Sequence, residues 1–194
     1  MHYIEITGQP CAGKSTYLNK RVSDKQAFFL KHRNIKKFFY IIFGLFFLGF
    51  SRSKVLFFWS MNENGPIYFR MNIFFNAVSK FGIFFYLQSS SNLSQQDILV
   101  DEGLAHLPFL FLNSDTVKVI DFISPELQKT NVHYLTVSDL TLIEQRLIIR
   151  GHKRLKFVLL SSFVARMHEI EINLLRYYPN LCNQFKTFED VTSF

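Results

Sequence analysis

Near the amino terminus, two glycines, a lysine and two hydroxyls stand at a spacing that can hold phosphate. In IEITGQPCAGKSTYL, residues 4–18, four residues separate Gly8 from Gly13, and Lys14, Ser15 and Thr16 follow directly. This is G-x-x-x-x-G-K-[ST], a phosphate-binding loop pattern. Glycine reaches backbone angles that a side chain forbids, so the loop can curl with its N–H groups inward. Those groups, with the positive end of the helix that follows, form a site for phosphate oxygens. The nucleotide-binding set is therefore Gly8, Gln9, Pro10, Cys11, Ala12, Gly13, Lys14, Ser15 and Thr16. Lys14 is read as an exposed loop lysine reaching the β- and γ-phosphates, and Ser15 as a Mg²⁺ ligand. Thr16 takes a lesser part in starting the helix, and Cys11 reads as a small residue at a variable loop position.

A second chemical signal lies about 87 residues downstream of Lys14, in DILVDEG. An apolar strand, Ile98, Leu99 and Val100, ends in two carboxylates. Phosphates sit at the carboxyl ends of buried parallel strands, so Asp101 is placed to hold Mg²⁺ and Glu102 to orient or deprotonate the attacking group. Arg146, Arg150 and Arg154 form a third signal. Spaced by four, they would share one helix side if the helix survives Gly151, and could clamp a transferring phosphoryl group. Arg70, the one charge in its turn, reads as a ligand for an acceptor phosphate or as a solvated arginine.

Strands and helices must position these groups. HYIEIT has the β-branched content of a buried strand before the loop, and KSTYLNKRVSD reads as the helix after it. VHYLTV (132–137) is a further buried strand, followed by a helix capped by Ser138 or Asp139. In PIYFRMNIFFNAVSKFGIFFYL, residues Ile67, Met71, Phe74, Val78, Phe81 and Phe85 recur at helical spacing, with Pro66 in the first turn. Asn72, Asn76, Ser79 and Lys80 fall largely off that face, and SSSNLSQQ reads as the loop that follows.

At 194 residues the chain is long enough for one domain with a full core. Two cysteines, Cys11 and Cys182, provide no disulfide framework and fit a reducing cytoplasm. No secretory leader pattern opens the sequence. The net charge of +7 is concentrated in residues 1–60, which carry +8. Such a basic region suits phosphates, an acidic substrate, nucleic acid or an anionic membrane. Within it, FFYIIFGLFFLGF (38–50) holds no charge and is flanked by KHRNIKK and SRSK. Thirteen residues make a helix of roughly 20 Å, short of the ~30 Å hydrocarbon core, so a spanning helix is not expected. The two remaining options are a buried helix of an inserted lobe and an interfacial helix on anionic headgroups. The buried helix, with Phe43 as core, is the expectation.

GQPCAGKST, then ILVDEG, then RLIIRGHKR resemble the P-loop nucleotide and nucleoside kinases, especially thymidylate kinase-like proteins. The DEG strand end is also similar to small kinase-like proteins encoded among bacterial surface-polysaccharide genes. The loop interior, QPCA, and the DEG ending depart from thymidylate kinases, which carry Asp-Gly in the loop and D-R-[YF] at that strand. The resemblance implies an α/β P-loop NTPase fold with a parallel, about five-stranded sheet flanked by helices. It implies a helical insertion shaping the acceptor site and an Arg-rich lid over ATP.

The resulting expectation is a single domain, 1–194, with an insertion at about 27–90 and a lid at about 146–156. Its expected activity is ATP- and Mg²⁺-dependent transfer of the γ-phosphoryl group to a hydroxyl or phosphate of a nucleoside, nucleotide or sugar-type acceptor. The alternative is a non-kinase NTPase or nucleotide-dependent binding subunit at a membrane. Lys14, Glu102, Arg146, Arg150 and Arg154 are the expected catalytic residues, Ser15 and Asp101 the metal ligands, and Arg70 a substrate ligand. Partners are ATP and a small acceptor, without nucleic acid; a peripheral contact with the anionic inner face of a membrane and a homodimer are left open.

Overall fold

Short apolar strands alternate with longer helices along the chain, and the strands come together in parallel. The computed structural model describes residues 3–23, 27–29, 34–89, 97–137, 139–177 and 185–187. Among these, the strands are β1 (Tyr3–Gly8), β2 (Ala27–Phe29), β3 (Asp97–Asp101), β4 (Asn131–Thr136) and β5 (Phe185–Thr187). The helices are α1 (Lys14–Ser23), α2 (Asn34–Met61), α3 (Ile67–Ser89), α4 (Leu107–Leu110), α5 (Thr116–Leu127), α6 (Leu140–Arg150) and α7 (Leu160–Tyr177). The sheet order is β2-β3-β1-β4-β5. Three strands of five or six residues form its centre, and three-residue segments pair at each edge. Every pairing is parallel. Most of expected loop 89–96, and Ser138, lie outside the described residues.

Burial on both faces explains why the strands read as nearly continuous apolar runs. Tyr3, Ile98, Val100 and Val132 face one cluster, built with α3 and α5. Ile4, Ile6, Leu99 and Tyr134 face the other, built with α1, α6 and α7. Parallel pairing sets β1 and β3 side by side at the same end of the sheet: Asp101, the last residue of β3, pairs with Ile6, two residues before β1 ends at Gly8. The β1–α1 loop and the DEG turn therefore emerge together from the centre of the sheet.

The chain between β2 and β3 is a helical hairpin, α2–α3, packed closely at two glycines. A Cβ on Gly82 would lie 1.8 Å from the Tyr40 carbonyl oxygen, and one on Gly44 would lie 2.2 Å from that of Val78. The expected stripe on α3 is buried at Phe74, Val78 and Phe81, whereas Ile67 is exposed. The α2 segment differs more from expectation. It runs 28 residues rather than thirteen and breaks at Gly49, whose φ of 68° and ψ of 175° lie in a region essentially reserved for glycine. Residues Lys36–Met61 are long and apolar enough to cross a membrane by length and composition.

The carboxyl-terminal half of α2 is fastened to the domain. Arg52 donates to both Glu126 carboxylate oxygens at 2.6 and 3.1 Å and to the Phe122 carbonyl at 2.8 Å, and lies over the Phe81 and Phe122 rings. Leu56 and Ser60 are fully buried. The first half corrects the expectation of a buried helix: Phe38, Phe39, Ile42, Leu45, Phe46 and Phe47 are exposed, as is Phe50 just past the break. Phe43 is only half-buried, stacked among Phe39, Phe47 and Tyr86. Hydrophobicity alone could not separate these outcomes, because both remove an apolar helix face from water.

Candidate functional site

The loop between β1 and α1 curls because its backbone uses angles that most residues avoid. Gly8 has φ of 140°, and a Cβ there would meet the Leu135 carbonyl oxygen at 2.0 Å. Gly13 has φ of 86° and Cys11, a non-glycine, 67°. Ala12 N–H donates to the Gln9 carbonyl at 3.2 Å, and the Thr16 and Tyr17 N–H groups donate to Gly13 at 3.0 and 3.1 Å. Lys14 is buried rather than exposed, a correction to its reading as a free loop lysine. Its Nζ donates to the Gly8 and Gln9 carbonyls at 3.1 and 2.8 Å and pairs with Glu102 Oε1 at 3.3 Å. The ammonium is thus held at the floor of the loop by the curled backbone itself.

Pro10, Cys11, Gly13, Lys14, Ser15 and Thr16 line an open cleft of about 190 Å³, with Asp101, Glu102, Arg150 and His152 opposite. Gln9 and Ala12 turn inward instead and are buried. The Gln9 amide donates to Glu171 of α7, so this side chain anchors the loop.

At the end of β3 the backbone turns sharply. Glu102 has φ of 52°, unusual for a residue with a side chain, while its N–H still donates to the Ile6 carbonyl at 2.8 Å. Left-handed residues of this kind cost about 1–3 kcal/mol and cluster at functional sites. Glu102 faces His106 Nε2 at 3.4 Å as well as Lys14. His106, Lys14 and Lys80 hold its carboxyl well below the usual range, against the opposing effect of burial. Burial brings the His106 imidazole down to about 3, against the attraction of Glu102, so it is uncharged at neutral pH. Asp101 is shifted the other way: burial, and then Glu102, raise its carboxyl.

Asp101 Oδ1 is buried without a hydrogen-bond partner. With the Ser15 hydroxyl in the same cleft, it offers the hard oxygen donors that Mg²⁺ takes. Among the described residues there is no cluster of three or more metal-binding side chains. That sparse set suits a cation completed by phosphate oxygens, as Mg²⁺ at nucleotides is.

The three arginines separate. α6 is capped by Asp139, whose carboxylate accepts from Thr141 N–H at 2.9 Å, and it stops at Gly151 in the left-handed conformation. Arg146 Nη1 donates to the Cys11 carbonyl at 3.0 Å, and Arg150 lines the cleft. Arg154, beyond the break, is buried and donates to the Leu110 carbonyl at 2.6 Å. Burial lowers its guanidinium, and Glu63 opposes that shift. A helix ending at Gly151 cannot carry a stripe through Arg154, so Arg154 is not among the residues lining this cleft. Arg70 lies elsewhere too: it donates to the Gly65 and Met61 carbonyls at 2.8 and 2.9 Å, closing the α2–α3 turn.

A second cleft, of about 270 Å³, opens on the other side of the two carboxylates. Lys37 and Tyr40 of α2, Asn76, Ser79, Lys80 and Ile83 of α3, and Asp101 with Glu102 line it. Lys80 donates to the Glu102 carbonyl, and Lys37 to Asn76 Oδ1 at 2.5 Å. Burial lowers the Lys80 ammonium, and Glu102, Glu5 and Asp101 counter this.

Sequence reasoning set Lys80 aside as merely off the apolar stripe; its polarity inside a phenylalanine-rich helix was the available signal. It passed over Glu5 inside an apolar strand. Glu5 is fully buried beside Lys80, under the backbone of Leu104, Ala105 and His106, and burial raises its carboxyl to about 7. Gly103 makes this possible, since a Cβ there would stand 2.6 Å from the Glu5 carboxylate. His106 and His152 were also missed: His106 sits three residues beyond the DEG ending, and His152 lies within RLIIRGHKR, where the arginines alone were singled out. No protein-family model, curated protein or solved structure matches this chain.

Proposed function

We propose that this chain is an ATP-dependent phosphotransferase with a P-loop NTPase fold, acting on a small acceptor that carries an anionic group. One observation carries the reading: Asp101 and Glu102 form the shared wall of two clefts. One cleft has the phosphate-binding loop, and the other has two lysines with amide and hydroxyl groups. A hydrolase needs only the first, whereas group transfer needs a place for each substrate. The parallel order β2-β3-β1-β4-β5, with the loop at its centre, supports the same reading.

In this mechanism the loop N–H groups and Lys14 hold the β- and γ-phosphates, with Arg150 across the cleft. Ser15 and Asp101 would hold Mg²⁺, which would supply positive charge against the phosphate oxygens. Lys80 and Lys37 hold the anionic group of the acceptor. Glu102 is ionised at neutral pH, so it orients an acceptor hydroxyl by accepting its hydrogen bond and takes the proton as the new P–O bond forms. The bond between the γ-phosphorus and its bridging oxygen breaks, and ADP departs. Arg146 acts on the loop through the Cys11 carbonyl as a positioning residue.

The test is a screen of phosphorylated sugars, nucleosides and nucleotides with ATP and Mg²⁺. Phosphorylated product from an anionic acceptor is expected. Free phosphate as the product with every acceptor favours an NTPase, and no ATP consumption overturns the reading.

A further inference from the structure

The first half of α2 is the least ordinary surface of the molecule. Phe38 and Phe46 are 66 and 79% exposed, Phe39, Ile42 and Leu45 extend the same patch, and Phe50, one residue past the break at Gly49, is 86% exposed. Large contiguous apolar surface of this kind marks a binding face. Its occupant can be chosen from charge. Between residues 34 and 89 the sole carboxylate is Glu63, and that side chain is buried. Lys36 and Lys54 are exposed at either end of the patch. A second copy presenting this face would oppose positive charge to positive charge, whereas an anionic surface complements both the rings and the lysines.

We propose that this face docks the protein peripherally on an anionic lipid bilayer. The helix lies on the membrane and does not cross it. Residues 34–48, before the break at Gly49, span about 22 Å, less than the ~30 Å hydrocarbon core. The half beyond the break is held by Arg52, Glu126 and Phe122 and by the burial of Leu56, so it cannot leave the domain without unpairing Glu126. Exposed rings on an interfacial helix enter the headgroup–acyl boundary, and neighbouring lysines add attraction to anionic lipid. Lys37 and Tyr40, in the same turns, line the second cleft, so docking sets its mouth beside the headgroups. The docking does not depend on the proposed phosphotransfer.

The experiment is co-sedimentation of the full chain with phosphatidylcholine vesicles, with and without phosphatidylglycerol. Binding is expected only with phosphatidylglycerol, and it should weaken near 1 M salt, where the Debye length falls to about 3 Å. The variant Phe38→Ser/Phe46→Ser/Phe50→Ser should lose binding by about tenfold per ring, with an unchanged melting temperature. Lys36→Ala/Lys54→Ala should weaken binding about fivefold per residue. Absence of wild-type binding, or full binding by the serine variant, overturns the proposal. So does a solution dimer that the serine variant makes monomeric, which would assign the face to a second copy.

Discussion

The β1–α1 loop and the first half of α2 are both dense in information, but of opposite kinds. In the loop, nearly every group has a named partner: Lys14 on two carbonyls and Glu102, Gln9 on Glu171, and the Cys11 carbonyl on Arg146. Its backbone is strained at Cys11, and the facing strand end is strained at Glu102. In α2, a run of phenylalanines faces outward, with partners largely confined to neighbouring rings. Strain and pairing mark a site whose geometry is completed by its own chain. Unspent hydrophobicity marks one completed by something else.

The sharpest way to break this contrast is at Lys14 and Glu102. If the loop is organised for phosphate, Lys14→Ala should reduce ATP turnover by at least ~100-fold, since the charge on the transferred group loses its cation. Glu102→Gln should lower turnover by about 10²–10⁴-fold while ATP binding is largely kept. Isothermal titration against single-turnover rates separates the two. Lys14→Ala with wild-type affinity and rate would leave the loop a structural feature only.

Glu5 tests whether the site's burial carries a cost. Its folded pKa of about 7 lies above the 4.5 of an exposed glutamate, so the folded state holds the proton more tightly. That contribution to stability is fully present below pH 4.5 and is lost as pH rises through 7, up to about 3 kcal/mol. His106, lowered to about 3, runs oppositely, its contribution growing as pH rises from 3 to 6.5. The difference between Glu5→Gln and wild type isolates Glu5. The variant should match wild type near pH 5 and melt several degrees higher at pH 8. A pH-independent difference would mean that Lys80 neutralises Glu5 throughout.

The meeting of the loop and the DEG turn in one cleft was legible because each motif has residue types at fixed spacing behind a short apolar strand. Gly8, Lys14 and Ser15 lie in one turn, and Asp101 ends the strand beside it. The second cleft was not legible, because Lys37, Lys80 and Glu102 are far apart in sequence and meet only through α2–α3 packing. The arginine stripe failed at Gly151, where a left-handed cap ended the helix that its spacing required. The burial of α2 was unreadable for a different reason. Apolar content measures a tendency to leave water and does not name the surface that receives it.

A smaller effect probes the packing that forms the second cleft. Gly82→Ala places a methyl group against the Tyr40 carbonyl and should destabilise by about 1–3 kcal/mol, lowering the melting temperature by several degrees. Gly151→Ala meets open space and bears only the left-handed backbone penalty, about 1 kcal/mol. Equal melting temperatures for the two would show that α2 and α3 can slide apart, and the cleft with them.

The smallest expected effect is the most telling for the comparison. Phe46 is 79% exposed, so Phe46→Ser should change stability by no more than about 0.5 kcal/mol, as surface substitutions do. Phe81, fully buried and packed on Phe85 and Phe122, should cost about 3–5 kcal/mol when replaced by alanine. Phe43, half-buried in its stack of rings, should fall between them. Chemical denaturation of the three variants checks the order. If Phe46→Ser instead costs as much as Phe81→Ala, the face of α2 is already covered in the folded protein. The aromatic run would then be core, and its difference from the β1–α1 loop would be one of composition alone.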